Sequence, residues 1–153
     1  DGEGTPTKAR ALVEDGRLTT WLLDSRSARQ LGLTPTGHAT RGTGGPPSPS
    51  STNVYLAAGT LSPDSLMADI VLGLYVTELI GMGVSGLTGD YSRGAVGFWI
   101  ENGQITYPVH EITIAGNLRD MFRSIVAIGN DVLVRGSRST GSILIERMTI
   151  AGN

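Results

Sequence analysis

Few side chains in this sequence have the type and spacing that covalent or metal chemistry requires. Its two histidines, His38 and His110, stand 72 positions apart, and neither belongs to a spacing that builds a metal site. A surface or hydrogen-bonded imidazole is the expected role of each. There is no cysteine, which removes a thiol nucleophile, a disulfide framework and every cysteine-containing zinc site. The carboxylates Asp69, Glu78, Glu101 and Glu111 fall on different predicted elements without a pairing interval, so none is assigned acid–base work. Gly81-Met82-Gly83-Val84-Ser85-Gly86 matches the dinucleotide-binding fingerprint and follows a strand-like run. That motif functions only when a helix opens at its end and aims backbone N–H groups at a pyrophosphate. The continuation, Leu87-Thr88-Gly89-Asp90-Tyr91, has turn and strand chemistry, so a twisted or bulged glycine strand is expected instead. Zincin helices, nucleophile elbows and P-loops are all missing from the sequence.

What remains is a polar cluster, Asp90-Tyr91-Ser92-Arg93, between glycine-flanked strands. Its hydrogen-bonding side chains are the candidate contacts to a peptide or a partner protein. The competing reading is a surface turn stabilised by Asp90 and Arg93.

The elements that must position this cluster are mostly short strands joined by glycine turns. Ala9 to Asp15 and Leu18 to Leu23 flank Asp15-Gly16, while Ala95 to Glu101 and Ile105 to Val109 flank Asn102-Gly103. Both dipeptides supply the positive φ angles of a two-residue hairpin turn. Further β-rich runs cover Asn53 to Ala57, Leu74 to Ile80, Asp131 to Val134 and Ser142 to Ile150. Three helices interrupt them. Ser25 to Leu31 ends at Gly32, a natural left-handed stop. The second, near 63 to 72, has Ser62 as N-cap, Pro63 in its first turn and Leu66, Ile70 and Leu74 on one face. The third, near 118 to 128, has Asn117 as N-cap, Met121, Phe122, Ile125 and Ile128 on its apolar face, and Gly129 to close it. Thr34 to Thr52 has no apolar period and is rich in Gly, Pro, Ser and Thr; it is expected to be a long connector. A hexapeptide recurs with small changes, Ile112-Thr113-Ile114-Ala115-Gly116-Asn117 and Met148-Thr149-Ile150-Ala151-Gly152-Asn153. It predicts either adjacent, similarly built strands or a duplication.

Composition narrows the function. One domain is expected over 153 residues, with 39% apolar and 17% charged residues. Twelve basic against 14 acidic residues leave a net charge of −2, which offers no field for nucleic acid. The lack of a spanning apolar run or a signal-peptide pattern makes the cytoplasm the expected compartment, with no membrane partner. Glycine is abundant, 22 residues, about twice the usual share of roughly 7%. The glycines between 81 and 97 are expected to bend strands into a closed surface.

The residues Gly89-Asp90-Tyr91-Ser92-Arg93-Gly94-Ala95-Val96-Gly97-Phe98-Trp99-Ile100-Glu101-Asn102-Gly103 closely resemble the TldD/PmbA family. So do Tyr107-Pro108-Val109, Ile112 to Asn117, Asp120-Met121-Phe122 and Gly129-Asn130-Asp131. The opening Asp1-Gly2-Glu3-Gly4-Thr5-Pro6, Leu22-Leu23-Asp24-Ser25 and Leu33 to Gly37 look like the same family's C-terminal region. The resemblance is closest to the PmbA branch, also called TldE, historically named modulators of DNA gyrase. It implies that residues 1–153 are the C-terminal domain of a longer cytoplasmic protein whose N-terminal part is not included. It implies pairing with a TldD-type subunit in an oligomeric zinc metalloprotease that cleaves extended or unfolded peptides. In TldD-type members an HExxxH helix lies upstream of the matched segment and a cysteine near the C-terminus completes the metal site. Here the late region reads Arg135-Gly136-Ser137-Arg138-Ser139-Thr140-Gly141. The resemblance therefore implies a subunit with no catalytic or metal-binding residue and no cofactor in this segment, zinc belonging to its partner. Two further readings stand beside it: the intact protein is itself a metallopeptidase with its metal site mostly outside this segment, or a regulatory module acting on DNA gyrase. The expected fold is α+β, a curved, barrel-like antiparallel sheet with the 63–72 and 118–128 helices packed on it.

Overall fold

A computed structural model describes residues 1–152 of the chain. Two compact units divide it, the first running from Asp1 to Val54 and the second from Tyr55 onward.

In the first unit the Asp15-Gly16 hairpin forms as expected. Asp15 and Gly16 have φ of 48° and 73°, and β1 (Val13–Glu14) pairs with β2 (Arg17–Leu18). Its strands are shorter than predicted because Val13 and Leu18 are exposed and have no apolar face to extend along. Helix α1 (Ser25–Leu31) has the predicted bounds. The Asp24 side chain caps its start by accepting from the Ser27 N–H, and Gly32 (φ 68°) closes it while the Leu33 N–H donates to the Ala28 carbonyl. The 34–52 segment is more structured than a plain connector. β3 (Ala39–Thr40) pairs with β4 (Ser48–Pro49), and Thr36 is buried as a hydrogen-bonding centre.

The chain passes through β5 (Val54–Tyr55) into the second unit, which contains α2 (Pro63–Met67), β6 (Leu72–Ile80), β7 (Asp90–Glu101), β8 (Gln104–Asn117) and α3 (Leu118–Arg123). Four short strands follow: β9 (Ile125–Ile128), β10 (Leu133–Arg135), β11 (Arg138–Thr140) and β12 (Ile143–Ile145), then β13 (Thr149–Ala151). The main sheet has the order β13-β8-β7-β6 and is antiparallel throughout. Asn102 and Gly103, with φ of 49° and 78°, turn the β7–β8 hairpin as predicted. Gly97 of β7 lies so close to the Tyr75 carbonyl of β6 that a Cβ would overlap it. Ala95, Ile112 and Ile114 form the core, with Leu74, Val76, Tyr91, Val109 and Met148 against it. The recurring hexapeptides are neighbours: Ile150 of β13 lies opposite Ile114 of β8. Asn153, the last residue of the second copy, lies outside the described residues.

Three expectations need correction. The sheet does not close into a barrel. β13 spans three residues and covers only Thr113 to Ala115 of the fourteen-residue β8, so the end strands never meet with matching lengths. The expected 63–72 helix stops at Met67, because the apolar residues from Leu72 onward pair with β7; Leu74 lies opposite Trp99 instead of continuing the helical face. The expected 118–128 helix stops at Arg123. The Ser124 hydroxyl donates to the Asp120 and Met121 carbonyls, and β-branched Ile125 and Val126 open a strand that pairs with β12. The N-caps Ser62 and Asn117 are as predicted.

The exposed area is 10,797 Å². A compact 16.0 kDa monomer would expose about 7,400 Å², and two separate globules of these unit lengths about 8,800 Å². The excess is therefore at least roughly 2,000 Å².

Candidate functional site

The residues Asp90 to Arg93 open β7, and the period of two splits them between the faces of the sheet. Tyr91 and Arg93 lie opposite Gly116 and Ile114, on the face that carries Ala95 and Ile112. Asp90 and Ser92 lie on the other face and are exposed. Asp90 is held by its neighbourhood: its Oδ2 accepts from the Thr88 hydroxyl at 2.6 Å, and its carbonyl accepts from the Ser85 N–H at 2.9 Å. The Asn117 amide donates to the Thr88 carbonyl, so the capping residue of α3 also braces this turn. Arg93 donates from Nη2 to the Leu79 carbonyl at 3.1 Å, while its Nε is buried without a partner. A buried donor of this kind is uncommon and costs stability until something accepts from it.

Beside this strand the glycine fingerprint forms a compact turn with no helix after it. The Ser92 N–H donates to the Gly83 carbonyl at 2.7 Å, and Val84 bridges Tyr91. Without a helix N-terminus the segment has no dinucleotide geometry.

Sheet edges are the other chemical resource. β6 is an end strand, and no strand among the described residues pairs with its outer side. Beyond β13, the outer side of β8 from Gln104 to Ile112 is also open. Two bulges shape that stretch. Thr106 and Tyr107 together oppose Trp99, and His110 and Glu111 together oppose Val96, with Glu111 at φ 56°. A groove of about 250 Å³ runs along Tyr107 to Ile112. A second recess of about 400 Å³ lies between Asp64, Met67, Ala68 and the start of β8.

The donors for a metal do not converge here. His110 is exposed on its bulge, and His38 Nδ1 lies 3.0 Å from the Thr36 hydroxyl. Among the described residues no three of His, Asp and Glu form a metal-ligating group. Asp131 is committed elsewhere: the Ser142 hydroxyl and N–H hold its carboxyl below the usual aspartate range.

The sequence of a family described as the PmbA/TldA metallopeptidase C-terminal domain matches residues 1–152. The chain belongs to this PmbA/TldD family. It is 53% identical over 152 residues to the metalloprotease PmbA of Escherichia coli O157:H7, covering 99% of this chain and 32% of that protein. The structure of a Thermotoga maritima protein described as a modulator of a DNA gyrase superposes with a TM-score of 0.86 at 38% identity, covering 99% of this chain and 35% of that one. TldE from Thermococcus kodakarensis superposes with a TM-score of 0.87 at 25% identity, over 98% of this chain and 35% of that one. The chain thus spans about a third of the length of the curated relatives it matches.

For a PmbA/TldD-family domain, two features were not anticipated from the residues: the open β6 edge and the unpartnered Arg93 Nε. The first had a signal in the near absence of charge from Val71 to Gly89, where Glu78 stands alone. The second had none, because pairing across strands decides it. No helix among the described residues is long and apolar enough to cross a membrane.

Proposed function

We propose that this chain is the C-terminal domain of a PmbA/TldE-type subunit that pairs with a TldD-type subunit in a cytoplasmic, peptide-cleaving zinc metalloprotease. Its part is cavity wall, partner contact and extended-peptide binding, with no catalytic group of its own. The observation that carries this reading is a PmbA-like sheet with open edges on a domain that exposes roughly 2,000 Å² more than compact units would. An open edge accepts an extended peptide or another strand through main-chain hydrogen bonds. Asp90, Tyr91, Ser92 and Arg93, at the start of β7, are the proposed contacts.

The test is reconstitution with the full-length protein. Mixed with its TldD-type partner it should cleave an unfolded peptide, and alone it should not. Cleavage by the protein alone, with stoichiometric zinc and an HExxxH helix upstream, would establish the second reading, that it is itself a metallopeptidase; the name of the Escherichia coli relative favours that alternative. The name of the Thermotoga structure favours a gyrase-directed regulator. Co-purification with gyrase while the TldD-type subunit fails to bind would select it.

A further inference from the structure

Three dipeptides in the chain can close on themselves without a catalyst: Asp1-Gly2, Asp15-Gly16 and Asn102-Gly103. In each, no Cβ on the glycine hinders its nitrogen from reaching the preceding side chain. Attack of that nitrogen on the Asp Cγ forms an N–C bond and expels water, which carries off the amide proton; the same attack on Asn expels ammonia. Water then reopens the five-membered imide at either carbonyl. Opening at the main-chain carbonyl leaves an isoaspartate, in which the backbone runs through Cβ and Cγ. An ionised carboxylate resists attack more than a carboxamide does, so local chemistry ranks Asn102 ahead of both aspartates.

The fold reverses that ranking. The nitrogen must swing onto its own neighbour's side chain, so the turn has to open first, and opening is easy only where few bonds hold the backbone. At Asn102-Gly103 both nitrogens are engaged: the Asn102 N–H donates to the Val71 carbonyl at 2.9 Å and the Gly103 N–H to the Ile70 carbonyl at 2.8 Å. Gly103 is buried, and a Cβ there would stand 2.6 Å from the Ala68 carbonyl oxygen. This turn also joins the twelve residues of β7 to the fourteen of β8. At Asp1-Gly2 the Gly2 N–H donates to the Ala39 carbonyl at 2.7 Å, and the Asp1 carboxylate accepts from the Glu3, Thr5 and Ala39 N–H groups. Asp15-Gly16 has no such bonds. Both residues are exposed, and neither the Gly16 N–H nor the Asp15 carboxyl has a hydrogen-bond partner among the described residues. The strands it joins have two residues each, extended only by the Thr19 bonds to Leu12 and Ala11.

We propose that Asp15 is this chain's site of spontaneous isoaspartate formation, and that the intrinsically more reactive Asn102 is protected by its turn. The product lengthens the backbone between β1 and β2, so the hairpin loses its register. It also presents a free α-carboxylate, the group that a carboxyl methyltransferase esterifies.

The experiment uses the full-length protein carrying Asp15→Asn, which keeps the turn chemistry and provides two Asn-Gly turns, each preceded by Glu. After prolonged warm incubation near neutral pH, trypsin releases Ala11 to Arg17 and Gly94 to Arg119, and mass spectrometry counts the deamidated fraction of each. The substituted position should react about tenfold faster or more than Asn102. In urea the two rates should converge, because the local chemistry is matched. In the wild type, isoaspartate should accumulate in the Ala11 to Arg17 peptide ahead of any change at Asn102, scored by labelled methyl transfer from a carboxyl methyltransferase; this measurement decides the matter if the variant fails to fold. Equal rates in the folded variant, or a faster Asn102, would overturn the proposal. So would a difference that persists in urea, which would assign it to sequence, or a position 15 left intact because another part of the protein covers it.

Discussion

The unit before Tyr55 and the unit after it satisfy their backbones by different means. In the first, side chains do it. Asp1 accepts through Oδ1 from the Glu3 and Thr5 N–H groups and through Oδ2 from Ala39, and Glu3 accepts from Ser25. The buried Thr36 hydroxyl accepts from the Leu23 N–H at 2.8 Å and lies 3.2 Å from the Trp21 carbonyl. In the second, long ladders do it, with the twelve residues of β7 paired along β8 and most of β6. One polar side chain therefore holds several backbone groups in the first unit, whereas a side chain in the second mostly packs. Ser, Thr and Asp offer the backbone an alternative to ladders, and a Gly- and Pro-rich stretch without apolar period has no ladder to lose.

The largest test of this contrast is Gly97→Val. A side chain there collides with the Tyr75 carbonyl, so the ladder must part, and a loss of roughly 4 kcal/mol or more is expected in denaturant titration. A near-neutral result would mean that β6 and β7 are not closely apposed. Next is Thr36→Val, which keeps the shape but removes the acceptor of the buried Leu23 N–H. It should cost about 1–3 kcal/mol. Amide exchange should accelerate around Leu23 and leave β7 and β8 unchanged; acceleration across both units would end the claim of separate stabilisation.

Acid sharpens the comparison further. Asp24 is held below the usual aspartate range by Ser27, its hydroxyl first and its backbone N–H second, as Asp131 is by Ser142. A carboxyl whose folded pKa is depressed contributes stability in full above its unfolded value, about 3.9, and loses it as pH falls through the folded value. Both units should weaken below about pH 4. Asp24→Asn keeps a good N-cap and should flatten that loss in the α1 region alone, seen by amide exchange between pH 5 and 2.5. The smallest effect is expected from Met82→Ser, within about 0.5 kcal/mol in the isolated protein, because the side chain is exposed. A larger loss would show that the turn serves the fold.

Local chemistry was legible wherever it was self-sufficient. Asp15-Gly16, Asn102-Gly103, the Gly32 stop of α1, Ser62 and Asn117 all form as their residue types dictate, because a turn or cap is completed within a few residues. The hexapeptide repeat gave its two strands but left their relation open, and the fold makes them neighbours. Helix lengths were not legible. Leu74, Ile125 and Ile128 satisfy a helical period and a strand equally, and which wins depends on whether β7 or β12 is there to pair.

For function, residue types alone limited this chain to what two histidines and no cysteine can do, and the run from Gly89 to Gly103 carried the family. Tertiary structure decided the rest. The strand period turns Asp90 and Ser92 away from Tyr91 and Arg93, and sheet order leaves β6 unpaired while bulges and a proline guard β8. Which edge stays open depends on how distant strands pair, and pairing is a property of the assembled sheet that no local stretch of residues contains.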